Sequence, residues 1–207
     1  MTDDSTPRPF TSTADMKTLD LDPATTALIV VDLQNGLLAR PLTPHSSKTI
    51  LDNTVTLAEA FTAHGGAVIR VMMDFSDLPR QAVDAPSRMP AGLPAQFFEL
   101  APEIAALTGI TLTKRQWGSF HGTELDLLLR RRKIEVVVVC GVATNFGIES
   151  TAREAWQHGY AVVVAEDACS SLSNEMHEFA VAKIFPAIAR IRSSARILAA
   201  LGTEEKG

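Results

Sequence analysis

"EVVVVCGVATNFGIES", Glu135 to Ser150, joins a short apolar run to a glycine-bounded turn and then to a helical pattern. An unbroken run of β-branched residues suits a strand buried on both faces, which belongs to a parallel sheet with helices packed on either side. Runs of the same kind recur at Ala27 to Leu33, Ala67 to Met73, Ile110 to Thr113, Tyr160 to Ala165 and Ala189 to Arg192, with helical segments between most of them. The fold class that follows is α/β: a doubly wound, Rossmann-like three-layer sandwich around a six-stranded, mainly parallel sheet. After Gly147, the positions Ile148, Thr151, Ala152 and Ala155 form a small-residue stripe at helical spacing, with Glu149, Arg153 and Glu154 off it. Thr123 and Asp126 form a capping pair ahead of Leu125, Leu128 and Leu129.

With 207 residues and 46% hydrophobic content, the chain can bury one substantial core. We therefore expect a tail over residues 1–24 and one domain over 25–207. A net charge of -5 gives no general attraction to nucleic acid or anionic lipid, and neither is expected as a partner. The amino-terminal residues lack the basic start and apolar segment of a secretory signal. No apolar run reaches the roughly 18 residues needed to span a bilayer. Cys140 and Cys169 are the two cysteines, both in or at the end of apolar strands, which fits a reducing compartment and a cytoplasmic location.

The histidines at 45, 64, 121, 158 and 177 lie far apart with no zinc-ligand spacing, so neither metal nor cofactor is expected unless distant ligands converge on folding. The basic run Arg130 to Lys133 is read as complementing the end of a helix rather than as an anion-docking patch. Asp74 to Phe98 carries four prolines, lacks a clear period and is long for a connection within a domain, as lids are. Arg80, Gln81 and Arg88 lie on it, either holding a substrate carboxylate or as solvated surface groups.

In an open parallel sheet, ligands bind beyond the carboxyl ends of the strands, near the point where strand order reverses. Three places meet that rule: Asp32 in "IVVDLQ", Lys114 in "TLTKRQW", and the turn Gly141 to Gly147. A carboxylate directly after an apolar run is costly to desolvate without a partner, and Lys114 is the candidate partner. Each residue alone also suits a turn or a surface strand end. Their joint placement is what points to a site.

The stretches "ALIVVDLQNGLL", "KRQWGSFHGTEL" and "VCGVATNFGIESTAREAWQHGYAVVVAEDACSS" resemble the isochorismatase-like, or cysteine hydrolase, superfamily, from about Ala27 to the final strand and helix. The resemblance implies that family's hydrolase fold and an Asp–Lys–Cys triad, with the Asp at Asp32, the Lys at Lys114 and the Cys position at Gly147. Glycine has no side chain for a covalent intermediate. True isochorismatases in the family also carry glycine there and cleave a vinyl ether by acid catalysis, so the resemblance implies proton delivery by Asp32, with Lys114 orienting it. Whether Asp32 serves as acid or base depends on desolvation against the Lys114 cation, and sequence leaves both open.

The resemblance also implies a cis peptide between Val142 and Ala143, and an oxyanion held by the amides of Thr144 and Gly147. Isochorismatases place a bulky aromatic at the Ala143 position and a His at the Asn145 position, so isochorismate is a poor candidate substrate. The metal-using nicotinamidase branch needs an Asp and several His ligands, and no Asp-x-His stretch occurs here.

The remaining candidate contacts are Gln34, which points to the same side as Asp32 if the chain stays extended, and Trp117, Phe120 and His121 soon after Lys114. The two aromatics either touch substrate or pack under the lid, and His121 either donates to substrate or is a satisfied loop residue. Cys140 and Cys169 are read as small core residues, not nucleophiles. The reading is a hydrolase for a small anionic metabolite that cleaves a vinyl-ether, C–N or C–O bond without a thiol. The alternative is a catalytically silent binding or scaffold protein that keeps the pocket. Alanine- and leucine-rich outer helices, and the oligomeric habit that the resemblance implies, lead us to expect a homo-oligomer.

Overall fold

A computed structural model of the chain describes residues 19–74, 82–84 and 92–202. Its strands are β1 (Thr26–Val31), β2 (Ala67–Met73), β3 (Ile110–Lys114), β4 (Val136–Val142), β5 (Ala161–Ser170) and β6 (Arg190–Arg192). They form one sheet in the order β3-β2-β1-β4-β5-β6, with every neighbouring pair parallel. The direction of winding reverses between β1 and β4. In open parallel sheets such a reversal is where ligands are bound, beyond the carboxyl ends of the strands.

The helices are α1 (Asn35–Leu38), α2 (Ser47–Ala63), α3 (Ala95–Phe98), α4 (Pro102–Ala105), α5 (Leu125–Arg131), α6 (Glu149–Gln157), α7 (Asn174–Phe179) and α8 (Ser194–Ala200). Long α2 begins because the Ser46 side chain accepts the Thr49 amide, and it buries Ile50, Thr54, Leu57, Ala58 and Phe61 along one face. Full burial of a side chain such as Leu57 or Phe61 contributes roughly 1.5–3 kcal/mol. α2 packs on the sheet together with α8. Right-handed crossovers place α5 and α6 on the opposite face, because β4 to β6 run outward in the other direction. The small-residue stripe behaves as its spacing predicts: Ile148, Thr151, Ala152 and Ala155 are all buried.

Some expectations need adjustment. Of the segment read as a loose or draped tail, residues 19–24 lie against the domain: Leu21 is buried and pairs with Leu201, its amide bonding to the Ala200 carbonyl. Thr123 and Asp126 do not form a capping box. Thr123 Oγ1 does accept the Leu125 amide at 3.2 Å at the start of α5 while donating to Ser119 O at 2.6 Å, but Asp126 accepts from the distant Tyr160 hydroxyl at 2.7 Å. Arg130 and Arg131 of the basic run stand in the last turn of α5, and Arg130 also lies over the Tyr160 ring and bonds Asp126.

The fifth strand also runs past Ala165, because pairing resumes after an interruption. Between the pairs Val139–Val164 and Gly141–Cys169, one residue of β4 faces four of β5. This wide bulge carries Glu166 and Asp167.

Candidate active site

Asp32 leaves β1 with a φ of 56°, a left-handed conformation that Asp tolerates better than most side chains. Its amide donates to Val71 O of β2 and its carbonyl accepts from the Gln34 amide, so the chain turns sharply at the strand end. Lys114, the last residue of β3, buries its whole side chain and reaches past β2 to place Nζ 2.8 Å from Asp32 Oδ2. The same ammonium donates to Trp117 O at 2.6 Å. That leaves one of its three donors without a partner among the described residues. Asp32 Oδ1 is buried and likewise has no hydrogen-bond partner among them.

The third strand end supplies the turn. At Gly141 (φ +122°) a Cβ would lie 2.0 Å from Val31 O, so only glycine lets β4 approach β1 this closely. The Val142–Ala143 peptide is cis, as the resemblance implies. A single wide helical turn, Thr144–Ile148, follows and runs into α6. At Gly147 a Cβ would lie 3.0 Å from Asp32 Oδ2 and 3.2 Å from Lys114 Nζ. Gly147 thus faces the ion pair directly, with no side chain between.

Desolvation dominates the electrostatics of the pair. Burial raises the Asp32 pKa, the Lys114 charge and hydrogen bond lower it, and the balance leaves it at about 6. Of the two opposing effects named from the sequence, burial is the larger, so the Asp32 carboxyl titrates above the usual carboxylate range.

Other predicted residues take up varied positions. Gln34 is fully buried, but its amide is spent on the backbone: Nε2 donates to Met73 O at 2.9 Å and Phe98 O at 2.5 Å, and Oε1 accepts from Met73 N. It ties β1 to β2 and α3 rather than facing a ligand, because the turn at Asp32 ends the extended geometry on which its orientation was argued. Phe120 is also redirected. It stacks on His158 at 5.1 Å and nears Tyr160, both at the amino end of β5, so it packs at the far end of the sheet. His121 is exposed, and its carbonyl accepts from the Gln116 side chain. Trp117 remains 58% exposed, its ring edge-on to Phe146 at 4.9 Å beside Gly147. Arg80, Gln81 and Arg88 lie outside the described residues.

Within the turn, Ala143 is half-buried and its carbonyl takes the amides of both Phe146 and Ile148. Asn145 accepts from Ser171 Oγ at 2.5 Å and lies against the Met176 sulfur. Thr144 is buried with Oγ1 2.8 Å from His177 Nδ1. Sequence reasoning missed Phe146, Ser119 and the histidine. A buried chain from Ser119 to Thr151 Oγ1 (2.8 Å) and on to Gly147 O (2.6 Å) locks the segment after Lys114 to the turn. Thr151 lay on the predicted buried stripe, which was its only sequence signal.

Residues 26–196 match the Isochorismatase domain family. The chain belongs to the isochorismatase family. YecD, an uncharacterised isochorismatase family protein of Escherichia coli O157:H7, is 44% identical over 188 residues, spanning 88% of this chain and 100% of that one. An isochorismatase family protein of Burkholderia thailandensis has a similar solved structure, with a TM-score of 0.83 at 38% identity, covering 88% of this chain and 98% of its own. More distant is RutB, a ureidoacrylate amidohydrolase of Acinetobacter baylyi, 29% identical over 198 residues, with 79% of this chain and 78% of that one aligned. The isochorismatase family therefore includes hydrolases. Among the described residues, no helix is long and apolar enough to cross a membrane.

A second polar cluster lies on the other side of the turn. His45 Nε2 is 2.9 Å and His177 Nε2 3.2 Å from the same oxygen, Glu166 Oε1, although His45 and Glu166 are 121 positions apart. Burial alone would raise the Glu166 pKa, but hydrogen bonds and charge from His45 and His177 hold it below the usual carboxylate value. Burial lowers that of His177.

Proposed function

We propose that the chain hydrolyses a small anionic molecule at Asp32 and Lys114 by acid–base chemistry, without a covalent thiol intermediate. The observation that carries this reading is Gly147, a backbone position opening directly onto the ion pair. Neither cysteine supplies a nucleophile. Burial pushes the Cys140 thiol to about 12, and it sits by Thr54 and the Ile29 carbonyl; burial also raises Cys169 well above the usual thiol value.

With a pKa of about 6, Asp32 supplies a proton from its free Oδ1 to the substrate while Lys114 holds Oδ2. For a vinyl ether, protonation of the enol carbon gives an oxocarbenium ion. Water adds to that ion, returns a proton to Asp32, and the hemiketal collapses with release of the alcohol. For a carbonyl substrate, water attacks the carbon while the amides of Thr144 and Gly147 hold the oxyanion. The Lys114 donor that has no partner among the described residues suits an anionic group, and Trp117 with Phe146 gives it an aromatic wall.

A panel of carboxylated vinyl ethers, carbamoyl compounds and cyclic amides tests this. Wild type should turn over one class, with kcat/KM falling as pH rises through about 6. Asp32→Asn should lose about 10²–10⁴-fold in kcat while still binding the ligand. A kcat/KM that rises with pH would make Asp32 a base. Binding without turnover of any compound would leave the chain a silent binding protein.

A further inference from the structure

We propose that His45, Glu166 and His177 form a binding site for one divalent transition-metal ion of the zinc class, separate from the Asp32–Lys114 pair. Two imidazoles and a carboxylate are a borderline-soft donor set that suits such ions, and three protein ligands leave a fourth position for water or an anionic group. Ligand atoms around a tetrahedral ion at 2.0–2.1 Å sit roughly 3.3 Å from one another. Here the two nitrogen-to-oxygen separations are 2.9 and 3.2 Å, and all three atoms lie within 4.8 Å. Small rotations of the side chains suffice to receive the ion.

Each ligand is held by a different part of the fold. The Ser170 hydroxyl bonds both the amide and the carbonyl of His45, fixing the segment before α2 against the end of β5. Glu166 projects from the β5 bulge, whose next residue, Asp167, accepts from Ser194 N and Oγ at 2.7 Å. His177, on α7, is oriented by Thr144 Oγ1 on Nδ1. With a metal on Nε2, His177 Nδ1–H donates to that hydroxyl, the outer-shell hydrogen bond that metal-bound histidines usually make. The His45 and Glu166 side chains are 25% and 31% exposed, so an ion has a route in.

The reading does not depend on what Asp32 does, and its test is binding rather than catalysis. The full chain, stripped with chelator and dialysed, is titrated with Zn²⁺ by calorimetry and with Co²⁺ while the visible spectrum is followed. One ion per chain should bind, with the visible bands of low-coordinate Co²⁺. His45→Ala and Glu166→Gln, both at partly exposed positions, should each weaken binding by at least about 100-fold, since even an outer-shell partner is worth 10–100-fold. His64→Ala, at an exposed histidine on α2's C-cap, should bind as wild type does. Absence of saturable binding would overturn the proposal. Stoichiometric binding that survives in both ligand variants, or that is lost in His64→Ala, would overturn it equally.

Discussion

Two ionic groups flank the turn after β4, and they differ in almost every physical respect. The Asp32–Lys114 pair is nearly dry, with side chains 7% and 0% exposed, whereas His45 and Glu166 are about a quarter to a third open to water. Gly147 faces the first group and Thr144, three residues earlier, bonds the second. The contrast teaches that one short turn serves two electrostatic environments. In the dry one, desolvation outweighs the partner's charge and hydrogen bond and raises a carboxyl; in the wetter one, desolvation is outweighed by the hydrogen bonds and charge of two imidazoles together, which lower a carboxyl.

The largest expected difference lies in stability. Lys114→Met leaves Asp32 buried without its cation and should cost about 3–5 kcal/mol in urea unfolding. His45→Ala breaks a partly exposed pair and should cost no more than about 1 kcal/mol. Equal losses would show that the two clusters are not as different as their burial implies.

The two carboxyls should also give opposite pH slopes. Between about pH 4 and 6 native Asp32 binds more protons than the unfolded chain, so its contribution is full below the unfolded pKa and is lost as pH rises through about 6. The stability of wild type relative to Asp32→Asn should therefore fall with rising pH. Glu166, lowered in the native state, contributes above its unfolded pKa and loses that contribution on acidification, so wild type relative to Glu166→Gln should gain stability as pH rises. Thermal unfolding at a series of pH values checks both signs.

The smallest effects separate the aromatics. Phe120→Leu, at the far end of the sheet, should cost about 1 kcal/mol with KM unchanged. Trp117→Ala, largely exposed beside the turn, should leave stability within about 0.5 kcal/mol and raise KM several-fold. Steady-state kinetics beside unfolding curves distinguishes the two.

The difference between the clusters is also one of legibility. Asp32 and Lys114 each interrupt an apolar strand pattern at its carboxyl end, and burying such charges is expensive enough to mark them in a single sequence. The sheet was readable for the same reason, from β-branched runs and the small-residue stripe of α6. Nothing comparable marks His45, Glu166 and His177. They converge because a loop, a bulge and a short helix meet in space, and periodicity carries no information about such meetings. Gln34 was misplaced because its direction was inferred from extended chain geometry, which the left-handed turn at Asp32 overrides, while for Phe120, chosen for its nearness to Lys114 in sequence, packing prevails over substrate contact, against His158 rather than under the lid.

The bulge in β5 shows how a parallel sheet can gain new chemistry without losing its frame. Val162 to Val164 hold the strand to β4 on one side, and Cys169 and Ser170 rejoin it on the other. The four residues between leave the β4 ladder, Ala165 still pairing with Arg192 of β6, and the adjacent carboxylates Glu166 and Asp167 turn to unrelated neighbours, one toward imidazoles and one toward the first residue of α8.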